Sequence, residues 1–163
     1  MNLNTKLSAN LTYNEAIRSR TAARKGLRNI PTTTHLLNMF ILANNLFQPI
    51  RDHFGEPIYV SSFYRTREVN EAIGGSLNSD HLTGCAIDLD ADVYGGIENM
   101  DIFLFVLREL PFWKLIYEHG DDENPDWVHI SYKQGYNHMK TVLRATSEDG
   151  EVIYKPFDKA WLT

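Results

Sequence analysis

Ser79-Asp80-His81-Leu82-Thr83-Gly84-Cys85-Ala86-Ile87-Asp88 and the later Asp126-Trp127-Val128-His129 are the stretches on which the reading of this chain turns. They offer two histidines and a carboxylate, His81, Asp88 and His129, as candidate metal ligands, with Asp126 as a second carboxylate three residues before the last histidine. Three nitrogen and oxygen ligands leave a tetrahedral zinc one open position, as a hydrolytic site requires. The spare carboxylate stands where a general base is needed. The pattern predicts a zinc hydrolase before any fold is assigned.

Strand alternation organises these residues. In a strand from Cys85 to Asp90, the residues Cys85, Ile87 and Leu89 share one face and Ala86, Asp88 and Asp90 the other. The apolar face belongs to the core, which turns Asp88 toward a cleft, with small Ala86 leaving room beside it. Gly84 lets the chain bend so that His81 returns to the metal that Asp88 holds. In a strand from Trp127 to Tyr132, His129 shares a face with Trp127 and Ser131, opposite Val128 and Ile130. Asp126 has the wrong parity to join His129 in a regular strand. Pro125 before it predicts a bend that swings the carboxylate toward the metal.

Outward from these strands, Thr12-Tyr13-Asn14-Glu15 reads as a capping box opening a helix that runs to about Lys25 and stops at Gly26. A second helix starts near Thr33 or Thr34, and Leu36, Leu37, Phe40, Ile41, Asn44, Phe47 and Ile50 recur along it with helical period. The run from Pro57 to Phe63 reads as a strand, followed by a short helix from Arg67 to Ile73 that Gly74-Gly75 ends. A helix from Asp101 to Leu110, a strand from Lys114 to Glu118, and a closing hairpin of 140–145 and 151–155 complete the chain. Helices early and an antiparallel sheet later make the class α+β.

At 163 residues the chain suits one domain, 1–163, with a core of its own. A net charge of −5 without a basic face argues against a nucleic-acid partner. No segment approaches the ~18 consecutive apolar residues of a membrane span. The N-terminus lacks the pattern of a signal peptide, so synthesis in a cytoplasm is expected. Cys85 is the single cysteine, which excludes an intramolecular disulfide and a cysteine-rich metal site.

The pattern Ser-x-His-x-x-Gly-x-Ala-x-Asp from Ser79 to Asp88, the acidic residue before Trp127 and His129, and Tyr64-Arg65-Thr66 after a strand occur in this order. Over roughly 58–132 the chain resembles the LAS zinc peptidases, which include D-alanyl-D-alanine carboxypeptidases, D-Ala-D-Ala dipeptidases and phage L-alanyl-D-glutamate endopeptidases. The resemblance implies a Hedgehog/DD-peptidase-like fold with N-terminal helices packed on a mainly antiparallel sheet. It makes His81, Asp88 and His129 the ligands of one zinc and Asp126 the general base. It also makes Arg65 the group that binds a substrate carboxylate or steadies an oxyanion.

The expectation is a monomeric zinc metallopeptidase acting on the stem peptides of peptidoglycan. An L-Ala-D-Glu endopeptidase of phage-endolysin type, reaching the cell wall after release from the cell, is favoured. A D-Ala-D-Ala carboxypeptidase or dipeptidase is the first alternative, and a non-catalytic wall-binding or virion module the second. Ser79 and Trp127 are expected to line the substrate groove. Cys85 reads as a small core residue, Arg67 as exposed, and His35, His53 and His138 as surface residues. Asp90 reads as a partner of the metal ligands or a solvated strand end, and His119 as a possible cleft residue. Asp121-Asp122-Glu123 reads as a solvated loop.

Overall fold

The computed structural model describes residues 2–158, apart from the side chain of His138, so the expectation for that histidine lies outside the described residues. A short hairpin, β1 (Lys6–Ser8) and β2 (Leu11–Thr12), precedes the first helix. Thr12 then caps α1 (Tyr13–Ile17), and the capping box with Glu15 forms as its spacing predicts. The expected single helix to Lys25 is two. Arg18 is extended, at φ −64° and ψ 131°, and Ser19 caps a new helix, α2 (Arg20–Lys25), accepting from the Ala22 N–H. Ser19 competes for the backbone as serines do, which starts a second helix where the first one stops.

The long second helix begins as α3 (Thr33–Leu42), passes through a π-helical turn at Ala43–Phe47, and ends as α4 (Gln48–Phe54). Pro49 supplies the cause: it has no N–H to donate and its ring crowds the carbonyl one turn back. Asn44 and Asn45 donate side-chain amides to the carbonyls of Phe40 and Ile41 and fill the disrupted ladder. Met39, Leu42, Ala43, Leu46, Phe47 and Ile50 are buried, whereas Leu37, expected inside, is 58% exposed.

Six strands form the main sheet in the order β3 (Tyr59–Ser62), β4 (Ala86–Asp90), β6 (Trp127–Ser131), β5 (Lys114–Glu118), β7 (Thr141–Glu148) and β8 (Glu151–Pro156). Only β5 and β7 run parallel; the other pairings are antiparallel. The closing hairpin turns at Asp149-Gly150, both with positive φ, as the twist of a two-residue hairpin demands. A short helix α5 (Arg67–Ala72) follows β3, and α6 (Asn99–Glu109) follows β4.

Period-two patterning sorts the two faces of the sheet. Ile87 and Leu89 of β4, Leu115 and Tyr117 of β5, and Val128 and Ile130 of β6 join one hydrophobic cluster with Leu42, Leu46, Phe47, Ile102, Phe103 and Val106 from the helices. Asp88, His129, Ile116 and Glu118 take the opposite parity and line a cleft. The sheet is therefore apolar on the helix side and lines a cleft on the other. Gly84 is required where the chain enters β4: its φ is +73°, and a Cβ there would lie 2.6 Å from the His35 carbonyl oxygen.

Candidate metal centre and cleft

His81 sits in a 3-10 turn, Asp80–Thr83, that Gly84 closes. Asp88 and His129 are directly opposed across the β4–β6 pair, where facing side chains lie within contact. The three converge. His81 Nε2 lies 3.2 Å from Asp88 Oδ1 and 3.3 Å from His129 Nδ1, and His129 Nδ1 lies 2.8 Å from Asp88 Oδ1. Among the described residues this is the one group of three metal-capable side chains found within 4.8 Å of one another, and all three are buried. Ligands about 2.0–2.1 Å from a tetrahedral zinc stand about 3.3 Å apart, so these separations suit the ion.

The hydrogen bonds behind the histidines decide which nitrogens face the centre. His81 Nδ1 is 2.6 Å from the Phe63 carbonyl oxygen, which can only accept, so Nδ1 carries the proton and Nε2 presents its lone pair. His129 Nε2 is 3.0 Å from Ser131 Oγ, whose own hydroxyl donates to Asp80 Oδ2 at 3.0 Å. Ser131 must therefore accept from His129, which leaves Nδ1 as the free lone pair. Lys133 at 2.7 Å and Lys114 at 3.2 Å hold Asp80 in turn. Burial alone would raise the Asp80 carboxyl, yet the two lysines and Ser131 outweigh it and keep it below the usual carboxylate range. Two imidazole lone pairs and a carboxylate aimed at one point repel one another unless a cation joins them. The donor set fits a divalent metal.

Without that cation, protons on the imidazoles take its part: burial opposes charge on Asp88, and the charge and hydrogen bonds of His81 and His129 then outweigh it and hold the carboxyl below its usual range. Burial pushes the His81 imidazolium down, with Asp88 opposing, so the ring favours the neutral form that a metal binds.

The centre opens into a cleft of about 540 Å³ lined by Arg65, Ser79, Glu118, His119, Trp127 and Tyr154, among others. Ser79, Trp127 and Arg65 thus line the same cleft as the triad. Arg65 is half-buried, its Nε is buried without a hydrogen-bond partner, and its charge acts on Asp88 and Glu118. His119 also lines the cleft, at φ +55°, with its ring centroid 5.2 Å from that of Trp127.

Asp126 is elsewhere. It is exposed and is not among the cleft residues; its charge acts on the Tyr117 phenol, on the core face of β5. The bend at Pro125 does not re-aim it, because its N–H bonds the Glu118 carbonyl at 3.0 Å and continues the β5–β6 ladder. Parity then turns its side chain away from His129.

Glu118, at the other end of the same connection, takes the place expected for Asp126. It is 6% exposed, pairs with Trp127 across the strands, and lines the cleft with the triad. Desolvation raises its carboxyl to about 7, with Asp88 adding to the rise and His129 and Arg65 opposing it. The signal was present in Lys114–Glu118: Leu115 and Tyr117 are the core residues, so Glu118 shares the face that β6 gives to His129. Tyr154 of β8 is the second residue missed, since it reaches the cleft by a long-range pairing that local pattern does not reveal.

The remaining candidates fall outside the centre. Cys85 is half-buried rather than in the core, and Arg67 and His53 are exposed. His35 is half-buried, 3.1 Å from the Tyr64 hydroxyl. Asp90 accepts from the amide of buried Asn99 at 3.3 Å. The 121–123 loop is pinned by Arg144, which donates to Asp122 and to the Asp121 carbonyl.

No curated protein matches the chain. A family model described as Peptidase M15 matches residues 9–131, which takes in α1, the triad and most of the cleft. With three quarters of its length matched around a buried His-Asp-His centre, the chain belongs to the M15 peptidases, the family of zinc D-Ala-D-Ala carboxypeptidases and LAS-type peptidases.

Proposed function

We propose that this chain is a zinc peptidase that cuts D-amino-acid-containing bonds in the stem peptides of peptidoglycan, as a monomeric domain with the Hedgehog/DD-peptidase fold. The observation that carries the reading is the convergence of three lone-pair ligands in a cleft that the buried carboxyl of Glu118 also lines. His81 Nε2, Asp88 and His129 Nδ1 would hold the zinc. When bound, zinc supplies Lewis acidity and lowers the pKa of water to roughly 7.

The chain's own groups do the rest. The Glu118 carboxylate, buried in the cleft beside the triad, takes a proton from the attacking water and returns it to the departing amine nitrogen. Arg65 offers a planar cation, with donors to spare, to the developing oxyanion or to a substrate carboxylate. Phe63, Ser131 and Asp80 hold the two imidazoles in the tautomers that metal binding needs.

The favoured bond is L-Ala-D-Glu, cut in the manner of a phage endolysin. The cleft supports this over a carboxypeptidase, because a second cavity adjoins it, sharing Arg65 and Ile73 as lining, and offers the peptide room on a second side. Mass spectrometry of purified peptidoglycan digested with and without zinc tests the reading. Zinc-dependent fragments with a new N-terminal D-Glu are expected. Release of free D-alanine alone makes it a D,D-carboxypeptidase, and no release in either digest refutes the peptidase reading.

A further inference from the structure

The second cavity, about 430 Å³, lies between β3 and the turn that joins α1 to α2. It exists because the first helix breaks at Arg18. The extended residue there lays Arg18, Ser19, Arg20 and Thr21 against Tyr59, Ser61 and Ser62.

Its charge is one-sided. Arg18, Arg20 and Arg65 line it against a single carboxylate, Asp90, which already accepts from Asn99. Arg18 is held ready: it donates to the Val60 carbonyl at 3.3 Å and its guanidinium sits 4.9 Å above the Tyr59 ring. Among the described residues neither Arg18 nor Arg20 has an acidic partner. Two guanidinium groups beside a cavity, with fork-shaped donors left over, match a carboxylate.

β3 is an edge strand, so a peptide could also pair with its backbone. That route is partly closed. Arg18 occupies the Val60 carbonyl, and the Tyr64 N–H donates to the Ala16 carbonyl at 3.0 Å. Recognition on this side falls to side chains.

We infer that this cavity is a subsite for a free carboxylate on the substrate peptide, bound by Arg18 and Arg20 on the far side of Arg65 from the metal centre. The inference rests on the peptidase reading for the identity of its ligand as a peptide. It makes the substrate acidic next to the cleaved bond, and it gives the 9–30 segment a part in specificity.

Calorimetry on zinc-loaded Glu118→Gln protein tests it, with two peptides amidated at the C-terminus: L-Ala-γ-D-Glu-L-Lys with its free α-carboxyl, and the same peptide as the α-carboxamide. The acid should bind about tenfold tighter than the amide, the scale of charge-assisted hydrogen bonds. The preference should shrink in Arg20→Ala and fall to about one in the Arg18→Gln, Arg20→Ala pair. Glutamine keeps a donor for Val60, and thermal melts confirm folding; if the pair does not fold, Arg20→Ala alone decides. Equal binding of both peptides, no binding of either, or a preference that survives the substitutions overturns the subsite. A preference that depends on the arginines, together with a parent protein that releases no peptidoglycan fragments, keeps the subsite and refutes the peptidase reading. Fragments without the preference do the reverse.

Discussion

The paired strands β4 and β6 and the connection from β5 to β6 both carry acidic residues near the centre, but they obey different rules. On β4 and β6 the ladder is regular, and parity alone delivers Asp88 and His129 to one point. The connection holds Glu118 and Asp126 at its two ends, joined by a backbone hydrogen bond across the ladder. There the residue nearer His129 in sequence points away, and the one eleven positions before it points in. Between them, His119 and Gly120 take positive φ, and a Cβ at Gly120 would lie 2.1 Å from the Asn124 carbonyl oxygen. The turn is tight, and it leaves the register on either side intact. Sequence spacing is thus a reliable guide to which residues face each other within a strand pair and a poor one to which carboxylate enters the cleft across a turn.

Breaking the regular half should have the largest effect. Alanine at His81, Asp88 or His129 should take zinc from about one equivalent per chain to background and abolish hydrolysis, since two remaining ligands rarely hold the ion in an open geometry. Metal analysis of the purified variants checks this, and parent-like zinc in any of them would remove that residue from the centre.

The support behind His129 comes next. Ser131→Ala removes the acceptor that fixes the ring's tautomer, and a loss of ~10–100-fold in zinc affinity is expected. Titration against a competing chelator measures it. An unchanged affinity would reduce the Asp80–Ser131 chain to packing.

The smallest effect sharpens the other half, on stability rather than rate. Glu118 in the folded, metal-free protein holds its proton up to about 7, whereas an unfolded glutamate near 4.5 has already lost it. Between those values the folded state binds more protons, so stability falls as pH rises through the window and is lowest above it. Glu118→Gln removes that slope. Its advantage over the parent should be greater at pH 8 than at pH 4, by at most ~3 kcal/mol or several degrees in Tm. Melting curves with the same difference at both pH values would contradict a buried, raised carboxyl.

Much of this arrangement was legible because strands and caps write themselves locally. Ile87, Leu89, Val128 and Ile130 mark a core face by period two, and Thr12 with Glu15 marks a helix start. The break at Arg18 was not, since Ser19 sits in a run of otherwise acceptable helix residues. The π turn at Ala43–Phe47 was hidden behind good helical spacing, though Pro49 was its warning. The parallel pairing of β5 with β7, which brings β8 and Tyr154 to the cleft, depends on long-range contacts that no local pattern encodes. Asp126 was expected in the cleft from a bend at Pro125 and from the resemblance, whereas its N–H continues the β5–β6 ladder and parity keeps its side chain on the other side.

A side-by-side measurement of Glu118→Gln and Asp126→Asn, each assayed for zinc content and for release of peptide fragments from purified peptidoglycan, is the most direct test of which carboxylate is the base. Both should keep about one zinc per chain, as neither is a ligand. Glu118→Gln should lose ~10²–10⁴-fold in rate, the scale of a missing general base, while Asp126→Asn stays within a few-fold of the parent. The opposite ranking, with Asp126→Asn inactive and Glu118→Gln active, would contradict the placement of the base.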